Sequence, residues 1–247
     1  MRTITERVFR RLINEAGMIP NESQAALIDD LGDLKRAIIY DRDLFLRDLD
    51  FVKFNLKRGS ERAEVMGDFF YDIMLAFIEI TPPESVGGQS YGPCAGAWMV
   101  SAVAGPGYGR NIYGLGYALS PSGVLVPDRS SVKPKARDAW RKVFAKPVKK
   151  LQLDDREHAH SEKGNEYHTD DPFDDCRLHL DTEDPQLDYA YSGTGEEEAL
   201  LNKLEQNHYD TVNRLYEQQG DEDLILAAEG YLRRAVAKFW KVHYFDS

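Results

Sequence analysis

Four residues near the middle of the chain, Gly105, Gly107, Gly109 and Arg110, have the types and spacing to hold an anion. Glycines at alternate positions lack a Cβ, so the backbone N–H groups of a turn can converge on one bound group. Ile112, Tyr113, Leu115, Gly116 and Leu119 follow at helical spacing. The turn therefore delivers a helix N-terminus, where the macrodipole adds partial positive charge. A pyrophosphate would fit such a cradle. A plain strand-to-helix corner would use the same glycines.

Three further groups could do chemistry. His158, His160, His168, Cys176 and His179 lie in an acidic stretch after Lys150, where His-x-His and Cys-x-x-His spacings would let two side chains share a metal ion. The stretch has no repeated ligand pair on glycine turns, so no metal is assigned, and a solvated acidic loop or arm is the plainer reading. Cys94 sits in the polar, glycine-rich stretch 84–96. A nucleophilic thiol there would need a histidine beside it, and the sequence places none. Asp128 follows an apolar strand at its C-terminal end, where sites gather in α/β sheets; it either pairs with Arg129 or the backbone, or faces a substrate cleft, where it or a water would accept a proton.

These residues need elements to hold them. Trp98 to Val103 reads as a short strand before the glycines, and Pro121-Ser122-Gly123 closes the helix after them. Val124 to Val126 is a second strand, and Pro134 opens a helix running through Trp140. Upstream, residues 21–33 suggest a short helix with Ala25, Ala26, Leu27 and Leu31 on its apolar side. Strands are expected at 37–40, 51–57, 63–71 and 74–80, a meander feeding the strand at Trp98. Downstream, residues 196–219 carry Leu201, Leu204, His208, Val212 and Leu215 on one helical stripe. Gly220 ends that helix, and Asp221 caps another with Leu224, Ala228, Leu232, Ala235 and Phe239 on its apolar face.

The segment from Ala97 to Phe144 resembles the acetyl-CoA motif of the GNAT acetyltransferase superfamily, through Gly107-Tyr108-Gly109 and the following Arg110. Ala136, Ala139, Trp140 and Lys142 fall on the frame of the helix that follows in that family. The resemblance implies an α+β fold with a mixed, mostly antiparallel sheet flanked by helices, here with a C-terminal helical hairpin. It implies acetyl-CoA as cofactor, held by Val103, Gly105, Gly107, Tyr108, Gly109 and Arg110. It also implies acetyl transfer to an amine, on a small molecule or a protein. Ala104 replaces the family's Gln or Arg, Trp140 its tyrosine, and Phe144 follows Val143 without the usual glycine. Indole has no proton to give at neutral pH, so these residues carry binding further than catalysis. An inactive relative kept as an interaction protein is the alternative, and a metal-dependent hydrolase using the His/Asp cluster a weaker one.

Lys+Arg 31 against Asp+Glu 42 gives a net charge of −11, which argues against a general nucleic-acid grip and against anionic membrane surfaces. Two cysteines are too few for a disulfide framework, and no apolar run matches a signal or spanning segment. Residues 2–15 form a basic amphipathic pattern with Ile4, Val8, Phe9, Leu12 and Ile13 on one stripe. That stretch, with Ile13-Asn14-Glu15 before Ala16, resembles the capsid-targeting peptides of tailed-phage head proteins. The resemblance implies phage head proteins as partners, and a bacterial host cytoplasm or the virion as location. The expected organisation is an N-terminal peptide (1–20), a GNAT-like core (21–150), an acidic loop or arm (151–195) and a helical hairpin (196–247).

Overall fold

A β-hairpin begins the ordered description of the chain in the computed structural model, which describes residues 22–47, 70–82, 98–105, 107–127, 134–144, 150–152, 189–220 and 222–245. Strand β1 (Gln24–Asp30) turns back into β2 (Lys35–Asp41) in continuous antiparallel register from Gln24↔Asp41 to Asp30↔Lys35. The Leu31 N–H donates to the Leu34 carbonyl at 2.9 Å, and the Asp30 carboxylate accepts from Gly32 N–H at 3.1 Å. This overturns the helix expected over 21–33. Five of the seven β1 side chains are buried, and a strand covered on both faces shows consecutive apolar residues rather than alternation.

The meander continues through β3 (Met74–Thr81) to β4 (Trp98–Ala104), each antiparallel to the strand before it. The strand expected over 63–71 fails at its end, because residues 70–73 are helical and bury Phe70 and Ile73. A short helix, α1 (Arg42–Arg47), follows β2 and buries Phe45. After β4 come α2 (Gly109–Leu119), β5 (Val124–Pro127), α3 (Pro134–Phe144), β6 (Lys150–Gln152) and β7 (Tyr189–Ser192). The seven strands form one sheet in the order β1-β2-β3-β4-β5-β7-β6. Only β4 and β5 are parallel; every other neighbouring pair is antiparallel. The fold is therefore α+β, with a mixed, mostly antiparallel sheet and helices on both faces.

Two hydrophobic clusters, one per face, hold it together. On the first face Leu27, Ile38, Tyr40, Met74 and Phe77 meet Phe45 and the helix α5 (Glu222–Phe245) through Leu224, Leu232 and Phe239. On the second, Ile39, Ile78, Ile80, Trp98 and Leu125 meet α2 through Ile112 and Leu115, and α3 through Trp140. Each fully buried Leu, Ile or Phe contributes about 1.5–3 kcal/mol. Helix α4 (Glu197–Gln219) lies along β1 and serves both clusters, with Leu200 and Leu204 in the second and Leu215 in the first. Its start is braced by the Glu197 carboxylate, which accepts from the N–H groups of Thr194 and Gly195, both at 2.7 Å. It ends at Gly220, whose N–H donates to the Tyr216 carbonyl at 2.8 Å.

The strand expected at 51–57, the stretch 84–96, and residues 2–15 with the Ile13-Asn14-Glu15 motif lie outside the described residues.

Candidate functional site

The parallel pair β4–β5 is short and diverges. Its register runs Trp98↔Leu125, Met99↔Val126 and Val100↔Pro127, and then β4 continues alone to Ala104 on that side. Pro127 has no N–H to extend the ladder, which ends β5 there. Among the described residues, the β5-side edge of β4 from Ser101 to Ala104 has no strand partner.

A bulge marks the same point. Ile80 pairs with Val100 but Glu79 pairs with Ala102, so Ser101 is the extra residue, and its hydroxyl donates to the Glu79 carbonyl at 3.2 Å. Val103 is half-buried beyond the bulge and packs against the second-face cluster.

The glycines then divide in role. A Cβ on Gly105 would land on the Cβ of Ala76 and 3.0 Å from its Cα, so this glycine lets β4 leave the sheet tightly against β3. The packing against Ala76 alone is enough to require a glycine at this position. Its carbonyl accepts from Tyr108 N–H at 3.0 Å, closing a tight turn, within which Gly107 has φ 86°. That left-handed conformation strains other residues, Asn and Asp least. Tyr108 is the N-cap of α2 and makes no side-chain cap bond; the first helical bond runs from Ile112 N–H to the Tyr108 carbonyl at 2.9 Å. The N–H groups of Gly109, Arg110 and Asn111 precede that bond, no acidic residue lies in the first turn, and Gly109 and Arg110 are exposed. The end of α2 presents donors and one guanidinium to solvent.

Asn111, which the sequence reading passed over, is 3% exposed in this first turn, and its Oδ1 has no hydrogen-bond partner among the described residues. Only its place two residues after Gly109 could have marked it. Trp140 is 2% exposed, with its ring between Tyr113 at 5.0 Å and Tyr191 at 5.1 Å. Burial pushes the Tyr113 and Tyr117 phenols up, so both stay protonated at every physiological pH.

No family model, no curated protein and no solved structure matches the chain.

Asp128, Cys94, His158, His160, His168, Cys176 and His179 lie outside the described residues. Among the described residues no group of three His, Cys, Asp or Glu is placed to share a metal ion, and no helix is long and apolar enough to cross a membrane.

A second polar system was missed by the sequence reading. Asp29, Arg36 and Glu79 are register partners across β1, β2 and β3. Arg36 Nε donates to Glu79 Oε1 at 2.7 Å and its Nη1 lies 3.7 Å from Asp29 Oδ2. Arg233 of α5 joins at 2.8 Å from Asp29 Oδ1 and reaches Glu229 at 3.3 Å. His208 links Glu229 at 3.2 Å to the Tyr40 hydroxyl at 2.7 Å. The hydrogen bond from His208, aided by Arg233, holds the Glu229 carboxyl below its ordinary value. Tyr40 is fully buried, so this chain of groups fastens α4 and α5 to the sheet and offers no reactive end there.

Proposed function

We propose that the chain binds an acyl carrier of the coenzyme A type at the divergence of β4 and β5, and that acetyl transfer to an amine is the chemistry such a site would serve. The observation that carries the reading is the coincidence, within ten residues, of an unpartnered strand edge, a bulge and an uncapped helix N-terminus. The Gly109, Arg110 and Asn111 N–H groups and the Arg110 guanidinium would hold the pyrophosphate. The Ser101–Ala104 edge would align the pantetheine amides as a further strand does. Bound there, the carrier would supply an activated acyl group. The chain's own part is to orient it against β4 and leave the other approach to the amine.

Trp140 favours a second reading, binding without turnover. Buried between two tyrosines, its indole packs the α3 contact and has no proton to lend a departing thiolate.

Calorimetric titration with CoA and with acetyl-CoA tests the site in wild type, Gly107→Asp and Gly107→Asn. Both variants accept the left-handed φ to a similar degree, and only the first adds negative charge. Gly107→Asp should weaken binding at least about tenfold, or 1.4 kcal/mol, while Gly107→Asn stays near wild type. No binding by wild type, or equal affinity in Gly107→Asp, would overturn the assignment. Binding with no thiol release in the presence of amines would select the second reading.

A further inference from the structure

The hydroxyls of Tyr113 and Tyr117 are buried, and neither meets a hydrogen-bond partner among the described residues. Both residues belong to α2 and stand four positions apart, so they are neighbours on one face of the helix. A buried hydroxyl left unpaired is costly, and native interiors pair nearly all of them. Two on one helical face point to a shared acceptor.

The surroundings of the pair come from α3, β7 and the start of α4. The Tyr113 ring meets Trp140 of α3 edge-on at 5.0 Å, and Trp140 stacks at 5.1 Å on Tyr191 of β7. These are direct ring contacts, which leave room for only a very small guest. Beside Tyr117 lies Glu197, the first residue of α4 and itself buried. A Cβ on Gly193 would stand 3.2 Å from Tyr117 Cβ and 2.9 Å from Glu197 Oε2, so this glycine is what lets the two approach each other. Burial first, and then the neighbouring Tyr113, Tyr191 and Glu197, push the Tyr117 phenol up, which keeps it a donor.

The guest must therefore accept from two phenols beside a carboxylate. An anion would be repelled by Glu197, and protonated phenols are poor ligands for a cation. A small neutral molecule with both an acceptor and a donor fits. The Glu197 carboxylate takes the N–H and hydroxyl of Thr194 and the N–H of Gly195, which is three of the about four bonds that a carboxylate can accept.

We infer that Tyr113, Tyr117 and Glu197 hold one internal water molecule, which accepts from the two phenols and donates to the Glu197 carboxylate. About three partners is the usual complement of a buried water. The molecule ties α2 to the start of α4, and the rings of Trp140 and Tyr191 help to close it from bulk solvent.

Oxygen-17 magnetic relaxation dispersion on the full chain tests this, because it counts internal waters that exchange slowly with bulk. The Tyr113→Phe/Tyr117→Phe pair should lose the dispersion amplitude of about one water relative to wild type. Urea midpoints give an independent reading. Tyr113→Phe and Tyr117→Phe should each lower the midpoint, and the pair should lower it by less than the two singles together, because both hydroxyls bond the same molecule. An unchanged amplitude in the pair would overturn the inference. So would a raised midpoint in either single variant, which would show a hydroxyl with no acceptor, or additive losses, which would show two separate acceptors.

Discussion

The Tyr40 hydroxyl lies 2.7 Å from Nδ1 of His208, joining the end of β2 to the middle of α4 across 168 positions of sequence. The other ring nitrogen faces a Glu229 carboxylate oxygen at 3.2 Å, which can only accept. This assigns the hydrogen to Nε2, so in the neutral ring Nδ1 accepts from Tyr40. Both partners are largely buried.

Tyr40→Phe should therefore cost about 1–3 kcal/mol, since it leaves Nδ1 without its donor. Removing both ends, in Tyr40→Phe/His208→Leu, should cost less than the two single changes together, because no orphaned atom remains on the Tyr40 side. Urea midpoints followed by circular dichroism measure the cycle. Additive losses would mean that the bond contributes nothing beyond the packing of its two rings.

The Glu229 carboxyl, held below its ordinary value by His208 first and then by Arg233, makes stability fall in acid. The unfolded chain binds a proton at this group at about pH 4.3, whereas the folded chain resists it to lower pH. The contribution is thus fully present above the unfolded value and is lost as pH drops through the folded one. Glu197 acts with the same sign: burial opposes the charge, but N–H bonds from Thr194 and Gly195 outweigh it. Unfolding free energies measured from pH 5.5 to 3 should fall less steeply in Glu229→Gln than in wild type. Parallel slopes would show that Glu229 keeps an ordinary carboxyl in the folded chain.

The sequence announced its local elements more clearly than its tertiary ones. The strand-turn-helix-strand-helix run from Trp98 to Phe144 was legible because Gly107, Pro121 and Pro134 punctuate it at the places where the backbone needs them. Strand β1 was misread because Ala25, Ala26 and Leu27 are buried on both faces, which removes the alternation that distinguishes a strand from a helix. The inward position of His208 was visible on its helical stripe, but its partners were not, since Tyr40 and Glu229 come from other elements. Likewise Asp29, Arg36 and Glu79 become neighbours only once the register of three strands is fixed.

Gly105 shows how a motif can mix two duties. Its spacing with Gly107 and Gly109 suits an anion turn, yet the atom that a side chain there would strike belongs to Ala76, on β3, and not to solvent. Gly105→Ala should destabilise the chain by about 1–3 kcal/mol, the usual cost of forcing an extra methyl into a filled site. Ala76→Gly empties the place where that methyl would go, so the pair Gly105→Ala/Ala76→Gly should recover part of the loss despite the weakness of glycine in a strand. CoA titration of the same pair separates the duties. Recovered stability with wild-type affinity assigns Gly105 to packing and leaves the ligand to Gly107, Gly109 and Arg110. Recovered stability with affinity still lost would place a ligand atom against Gly105 itself, and the cradle would begin two residues earlier than the packing of β3 implies.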